Sequence, residues 1–158
     1  MYARETTVSP EKSKAEIERL LRRYGADSFV SGWDQAQGRE LVQFRCHDRF
    51  IRFVLVMPQK DEKRFTRRPH RRYSYQDRTE TQALVAWEQE IRRRWRALAL
   101  VIKAKLEAVQ TGITTFESEF LPHIVMPDGK TVGEHVAPAI AAAYSSGKVR
   151  GLLPEFTS

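Results

Sequence analysis

Between Thr79 and Gln110 the chain contains no proline and no glycine, and its apolar residues recur at steps of three and four. Leu84, Trp87, Ile91, Trp95, Leu98, Ile102, Leu106 and Val109 fall on one face at the helical period. Thr79-x-x-Gln82 has the form of a capping box, in which the threonine side chain accepts from the third helical N–H and the glutamine reaches back. Gly112 stands just past the far end, where a left-handed residue closes a helix. The pattern predicts one helix of about 30 residues, about 45 Å long at 1.5 Å per residue. A chain holding such a helix must cover its stripe, so the other elements are read as that cover. From Ala97 to Ile102 the sequence is apolar nearly all round, which predicts burial on several sides. In Arg92-Arg93-Arg94-Trp95-Arg96 the tryptophan points inward and the arginines outward, as a solvated face or as a ridge that meets acid or phosphate.

The other segments are shorter. Ser9-Pro10-Glu11 opens a first helix, with Ser9 as N-cap, proline at the first helical position and an acid in the first turn. Ile17, Leu20, Leu21 and Tyr24 form its face, and Gly25 ends it. Three strands are predicted next, Phe29 to Asp34, Glu40 to Cys46 and Arg49 to Met57, joined by Gln35–Gly38 and the tight turn His47-Asp48. Val42, Phe44 and Cys46 alternate with Gln43 and Arg45. Ile51, Phe53, Leu55 and Met57 alternate with polar positions that include Arg52. This is the pattern of an antiparallel meander with one face on the core. After Gly112, Thr114-x-x-Glu117 predicts a capped short helix through Phe116, Phe120 and Leu121 that stops at Pro122. Ile124-Val125-Met126 is a brief extended piece and Pro127-Asp128-Gly129 a turn. Thr131-x-x-Glu134 caps a last helix to about Ser146, interrupted by Pro138, with Val136, Ile140, Ala143 and Tyr144 as its apolar face. The tail from Lys148 to Ser158 is expected on the surface. The order predicts one α+β domain over residues 1–158: an N-terminal helix, a three-stranded antiparallel meander, a long central helix and smaller C-terminal helices.

Gln59 to Arg78 is the most biased stretch. Lys60, Lys63, Arg64, Arg67, Arg68, His70, Arg71, Arg72 and Arg78 are interleaved with Phe65, Tyr73 and Tyr75, against Asp61, Glu62 and Asp77. No period is sustained and Pro69 interrupts it. The reading is an exposed, mobile basic loop at about residues 58–78, too long for a simple turn.

The net charge of +7 and a pI near 9.8 suggest an anionic partner, either nucleic acid or an acidic protein surface. Cys46 is the one cysteine, so no disulfide forms within the chain and a reducing compartment fits. Alternation puts it inside as a small core residue. No stretch approaches the ~20 apolar residues that span a bilayer, and Met1 to Ser9 has no apolar core of the signal-peptide kind. A cytoplasmic protein with no membrane partner is the expectation.

The chain offers little to an enzymatic reading. His47, His70, His123 and His135 share no metal-clipping spacing, and no nucleophile elbow, phosphate loop or dinucleotide fingerprint is present. A non-enzymatic protein with no cofactor and no metal is expected.

The run Thr114 to Glu134, with Trp95-Arg96-Ala97-Leu98 and Ala15-Glu16-Ile17-Glu18-Arg19, resembles small uncharacterised proteins of phages and prophages. The resemblance covers most of the chain. It implies a mobile-element gene, a class that often encodes nucleic-acid handlers or small adaptors and inhibitors of host machinery. It brings no activity and no site residues. The order of one helix, three strands and a helix is also similar to the double-stranded-RNA-binding architecture, by fold analogy alone, since the motifs of that family are absent.

These observations lead to a nucleic-acid-associated binding module, weakly sequence-specific and led by phosphate contacts. Its candidate residues are Arg64, Arg67, Arg68, His70, Arg71, Arg72, Tyr73, Tyr75 and Arg78 in the loop, with Arg45 and Arg52 on the solvent face of the sheet. Arginine donates to phosphate in a fork and tyrosine stacks on unpaired bases. The alternative is an adaptor or inhibitor that docks the same loop on an acidic surface of a host protein. A third reading makes the loop a solubilising linker.

Overall fold

The computed structural model describes Ala3, residues 5–149 and Gly151. Most of the expected tail therefore lies outside the described residues. The elements run α1 (Pro10–Arg23), β1 (Ser28–Asp34), β2 (Arg39–Cys46), β3 (Arg49–Val56), α2 (Lys63–Thr66), β4 (Arg67–Arg71), β5 (Ser74–Asp77), α3 (Glu80–Gln110), α4 (Phe116–Phe120), a 3-10 turn (Leu121–His123) and α5 (Val132–Ser146). The class is α+β. β1, β2 and β3 form an antiparallel sheet in that order, and β4 pairs with β5 in a separate two-stranded sheet. No helix among the described residues is long and apolar enough to cross a membrane.

The chain divides into two compact units, with boundaries inside α1, β1, β2, β3 and α3. The first contains residues 1–20, 31–41 and 54–104. Its core is the middle of the long helix, where Trp95, Leu98, Ala99 and Ile102 are buried, as are Ile17 and Ser13 of α1. The predicted cap is present: Gln82 N donates to Thr79 Oγ1 at 3.2 Å and Thr79 N to Gln82 Oε1 at 3.1 Å. Lys14 Nζ stands 4.4 Å from the Trp95 ring centroid, and Arg96 pairs with Glu16. The apolar run Ala97–Ile102 is not buried all round. Ala97 and Val101 are exposed, because a helix rotates its one-residue steps to the outside even where they are apolar.

The second unit contains residues 21–30, 42–53 and 105–158. Val42, Phe44 and Cys46 of β2 and Ile51 and Phe53 of β3 are buried in it, with Phe116, Phe120, Ile124 and Leu106. The Phe120 ring stands nearly perpendicular to those of Phe44 and Phe53, at 6.0 and 6.3 Å between centroids, a favoured aromatic geometry. His47 and Asp48 both have positive φ, as a two-residue hairpin turn of the type that matches strand twist requires. Burial pushes the Cys46 thiol up, which suits a core residue.

Two local readings shift. α4 is capped by Thr115, whose Oγ1 accepts from Ser118 N at 3.2 Å, one residue later than the expected Thr114 box. That phase buries both Phe116 and Phe120, four apart on one face. In α5 the Thr131–Glu134 capping box forms as expected, and Pro138 is accommodated inside the helix. Its apolar face does not close: no residue of α5 is buried, and Ile140 and Tyr144 are exposed.

Candidate anion-binding surface

The stretch read as an irregular loop has regular structure. β4 and β5 pair antiparallel, with Arg67 opposite Asp77, Arg68 opposite Gln76, Pro69 opposite Tyr75 and Arg71 opposite Ser74. A bulge at His70 breaks the register. The reason the pattern hid the hairpin is physical. Every residue of both strands is exposed, so neither face is apolar and no alternation marks it. Its anchor is α2, where Phe65 is buried, and Arg78 N closes the base by donating to Thr66 O at 2.7 Å.

Opposed residues of an antiparallel pair project to the same face and neighbours along a strand to opposite faces. Arg67, Pro69, Tyr75 and Asp77 therefore share one face, and Arg68 and Gln76 the other. The first face opens on a cleft of about 610 Å³ lined by Lys63, Arg64, Arg67, Pro69, Tyr75 and Arg78. A second cleft of about 620 Å³ shares Arg64 and Arg78 and extends along α3 past Gln82, Val85 and Glu90.

Residues 59–78 hold eight lysines and arginines against three acids, a net of +5 in a chain of net +7. Many of these cations are engaged within the fold. Arg64 lies 2.6 Å from Glu62 and 3.8 Å from Glu90. Arg67 lies 3.3 Å from Asp77, and Arg68 Nη2 donates to Gln76 Oε1 at 2.9 Å. Arg78 Nη1 donates to the carbonyls of Arg64 and Phe65 and meets no carboxylate among the described residues. Lys63, Arg71 and Arg72 are exposed with no carboxylate partner among the described residues. His70, Tyr73 and Tyr75 are exposed beside them, Tyr73 at 92% and Tyr75 at 72%.

Arg45 and Arg52 belong to the second unit and are not free there. Arg45 grips Asp27 with Nε and Nη2 at 2.8 and 2.7 Å, and its hydrogen bonds hold the Asp27 carboxyl below the usual range. Arg52 is half-buried and donates to Gln43 Oε1 at 3.0 Å and to the Gly129 carbonyl at 2.8 Å. The sequence reading put both on the solvent face of the sheet; Arg45 is exposed there, whereas Arg52 is half-buried, because alternation says nothing about partners. The arginines of the α3 ridge are engaged too. Arg92 bonds Gln89, Arg93 and Arg94 bond Glu90, and Arg94 also donates to the Val56 carbonyl. Burial of Glu90 opposes its charge, yet the hydrogen bonds from Arg93 and Arg94 outweigh it and keep its carboxyl below the ordinary value.

Sequence reasoning passed over Lys63 and Pro69 as site residues. Lys63 falls on the short α2, and Pro69 becomes a cleft wall only once its partner Tyr75 is known. No group of three His, Cys, Asp or Glu side chains that could hold a metal is found among the described residues. No protein-family model matches the chain, and neither a curated protein nor a solved structure matches it.

Proposed function

We propose that the protein binds nucleic acid through the β4–β5 hairpin and α2, led by phosphate contacts and with little sequence preference. The observation that carries this reading is the set Lys63, Arg71 and Arg72, exposed and without carboxylate partners among the described residues, beside the exposed rings of Tyr73 and Tyr75. Their charges are not engaged by any acid among the described residues, so a polyanion gains them at low desolvation cost. The rings favour nucleic acid over an acidic protein, because stacked bases use them and carboxylates do not. A phage or prophage origin belongs to the same proposal and rests on the resemblance alone.

The test compares the parent with the triple variant Lys63→Ser, Arg71→Ser, Arg72→Ser on a fluorescent oligonucleotide. The variant keeps the parent melting temperature and loses most of the affinity. Equal binding by both proteins would remove the hairpin from the interface. A partner that the parent retains after nuclease treatment, and the variant does not, would point instead to an acidic protein surface.

A further inference from the structure

The first face of the hairpin differs from a flat basic patch in having a concave apolar floor. Pro69 and Tyr75 stand opposite one another across the two strands, and both line the 610 Å³ cleft. Lys63, Arg64, Arg67 and Arg78 line it with them. Glu62 neutralises Arg64 and Asp77 neutralises Arg67, whereas Lys63 and Arg78 meet no carboxylate among the described residues. The cleft is thus a small aromatic and aliphatic pocket with two uncompensated cations. Its volume lies in the range of sites that enclose one small ligand, about 300–1,000 Å³.

A base presents a free face to such a ring only when it is unpaired. A duplex keeps its base faces against their neighbours and exposes them only at its ends. Resting on the nucleic-acid reading above, we propose that this cleft takes one unpaired nucleotide, with its base against Tyr75 and Pro69 and its phosphate beside Lys63 and Arg78. The protein is therefore selective for single strands. Tyr73, which does not line the cleft, serves as the internal control.

The experiment is fluorescence anisotropy of the full chain with a labelled oligothymidylate 12-mer and with a labelled, relaxed, covalently closed circular DNA duplex that has neither ends nor unpaired loops, at one fixed low salt concentration. The expected result is tighter binding of the single strand by tenfold or more. Tyr75→Ala and Tyr75→Leu weaken single-strand binding by about 5- to 150-fold, the range of one lost base stack. Tyr75→Phe keeps it, Tyr73→Ala changes it less, and duplex affinity stays the same in all four. Leucine preserves an apolar partner for Pro69, so loss in that variant reads the ring and not the hairpin. Unchanged single-strand affinity in Tyr75→Leu, or equal affinity for strand and closed duplex, would overturn the cleft while leaving general phosphate binding intact. Absence of binding to both oligonucleotides would overturn the two readings together.

Discussion

Replacing Trp95 with alanine tests the central helix where it carries most weight. Trp95 is fully buried, at 0% exposure, in the middle of α3. Truncating a large aromatic core residue costs about 3–5 kcal/mol, the lost transfer energy plus a cavity that the neighbours fill only in part. Part of that loss is the ring beneath Lys14, 4.4 Å from its ammonium, a contact worth about 0.5–1 kcal/mol. For a chain of this length each kcal/mol moves the melting temperature by about 2–4 °C, so the expected drop is about 6–20 °C by far-UV circular dichroism. A companion variant separates two contributions. The Trp95 Nε1–H has no hydrogen-bond partner among the described residues. Trp95→Phe deletes that buried donor and keeps one ring, so it costs less than the alanine change. A melting temperature unchanged in Trp95→Ala would refute the register of α3, and with it the division of that helix into buried and open faces.

Other expectations follow from individual contacts. Glu90→Ala leaves Arg93 and Arg94 without their shared acceptor and should cost about 1.5–3 kcal/mol in a urea titration, the range for hydrogen bonds to charged groups; a change below 0.5 kcal/mol, typical of surface sites, would make that cluster incidental. Gly133→Ala, which would stabilise an ordinary helix position, should instead destabilise, because a Cβ there would lie 2.9 Å from the Pro122 carbonyl oxygen; a raised melting temperature would contradict that close approach. His123 stacks on Phe53 at 4.0 Å, and burial together with the charge of Lys105 lowers its pKa, while a hydrogen bond to the Arg52 backbone works the other way. The unfolded chain then binds the extra proton first, so stability should fall as the pH drops below the unfolded histidine value of about 6.5. His123→Gln should flatten that part of the pH profile, and a profile identical to the parent's would exclude the histidine as its source.

How much of this was legible in the sequence depends on whether an element buries a face. α3 was readable from end to end because Thr79, Gln82 and Gly112 mark its limits and Trp95, Leu98, Ile102 and Leu106 mark its stripe. β2 and β3 were readable because Val42, Phe44, Ile51 and Phe53 alternate with residues that stay outside. The β4–β5 hairpin buries nothing and so leaves no period to read. Phe65 was the available clue, a lone apolar ring in a basic run, and it is the residue that anchors the segment. Pairing was the other blind spot. The spacing of Glu90 with Arg93 and Arg94, at three and four residues, announces an ion-pair cluster on a helix. That spacing bears on the choice between a solvated face and a ridge that meets acid or phosphate, and it favours an acid of the same helix for Arg93 and Arg94. The partners of Arg45, Arg52, Arg67 and Arg68 depend on strand register and turn placement, which composition does not encode. In α5 the apolar spacing was seen correctly, but spacing alone does not supply a surface for Ile140 and Tyr144 to pack on.

The claim that phosphate contacts through Lys63, Arg71 and Arg72 drive binding is tested most directly by salt. Each phosphate contact on a single strand contributes about 0.7 to the slope of log affinity against log salt concentration. Anisotropy titrations of the parent and the Lys63→Ser, Arg71→Ser, Arg72→Ser variant at several salt concentrations should give slopes that differ by about 2. Equal slopes, or no binding by the parent at the lowest salt, would contradict it.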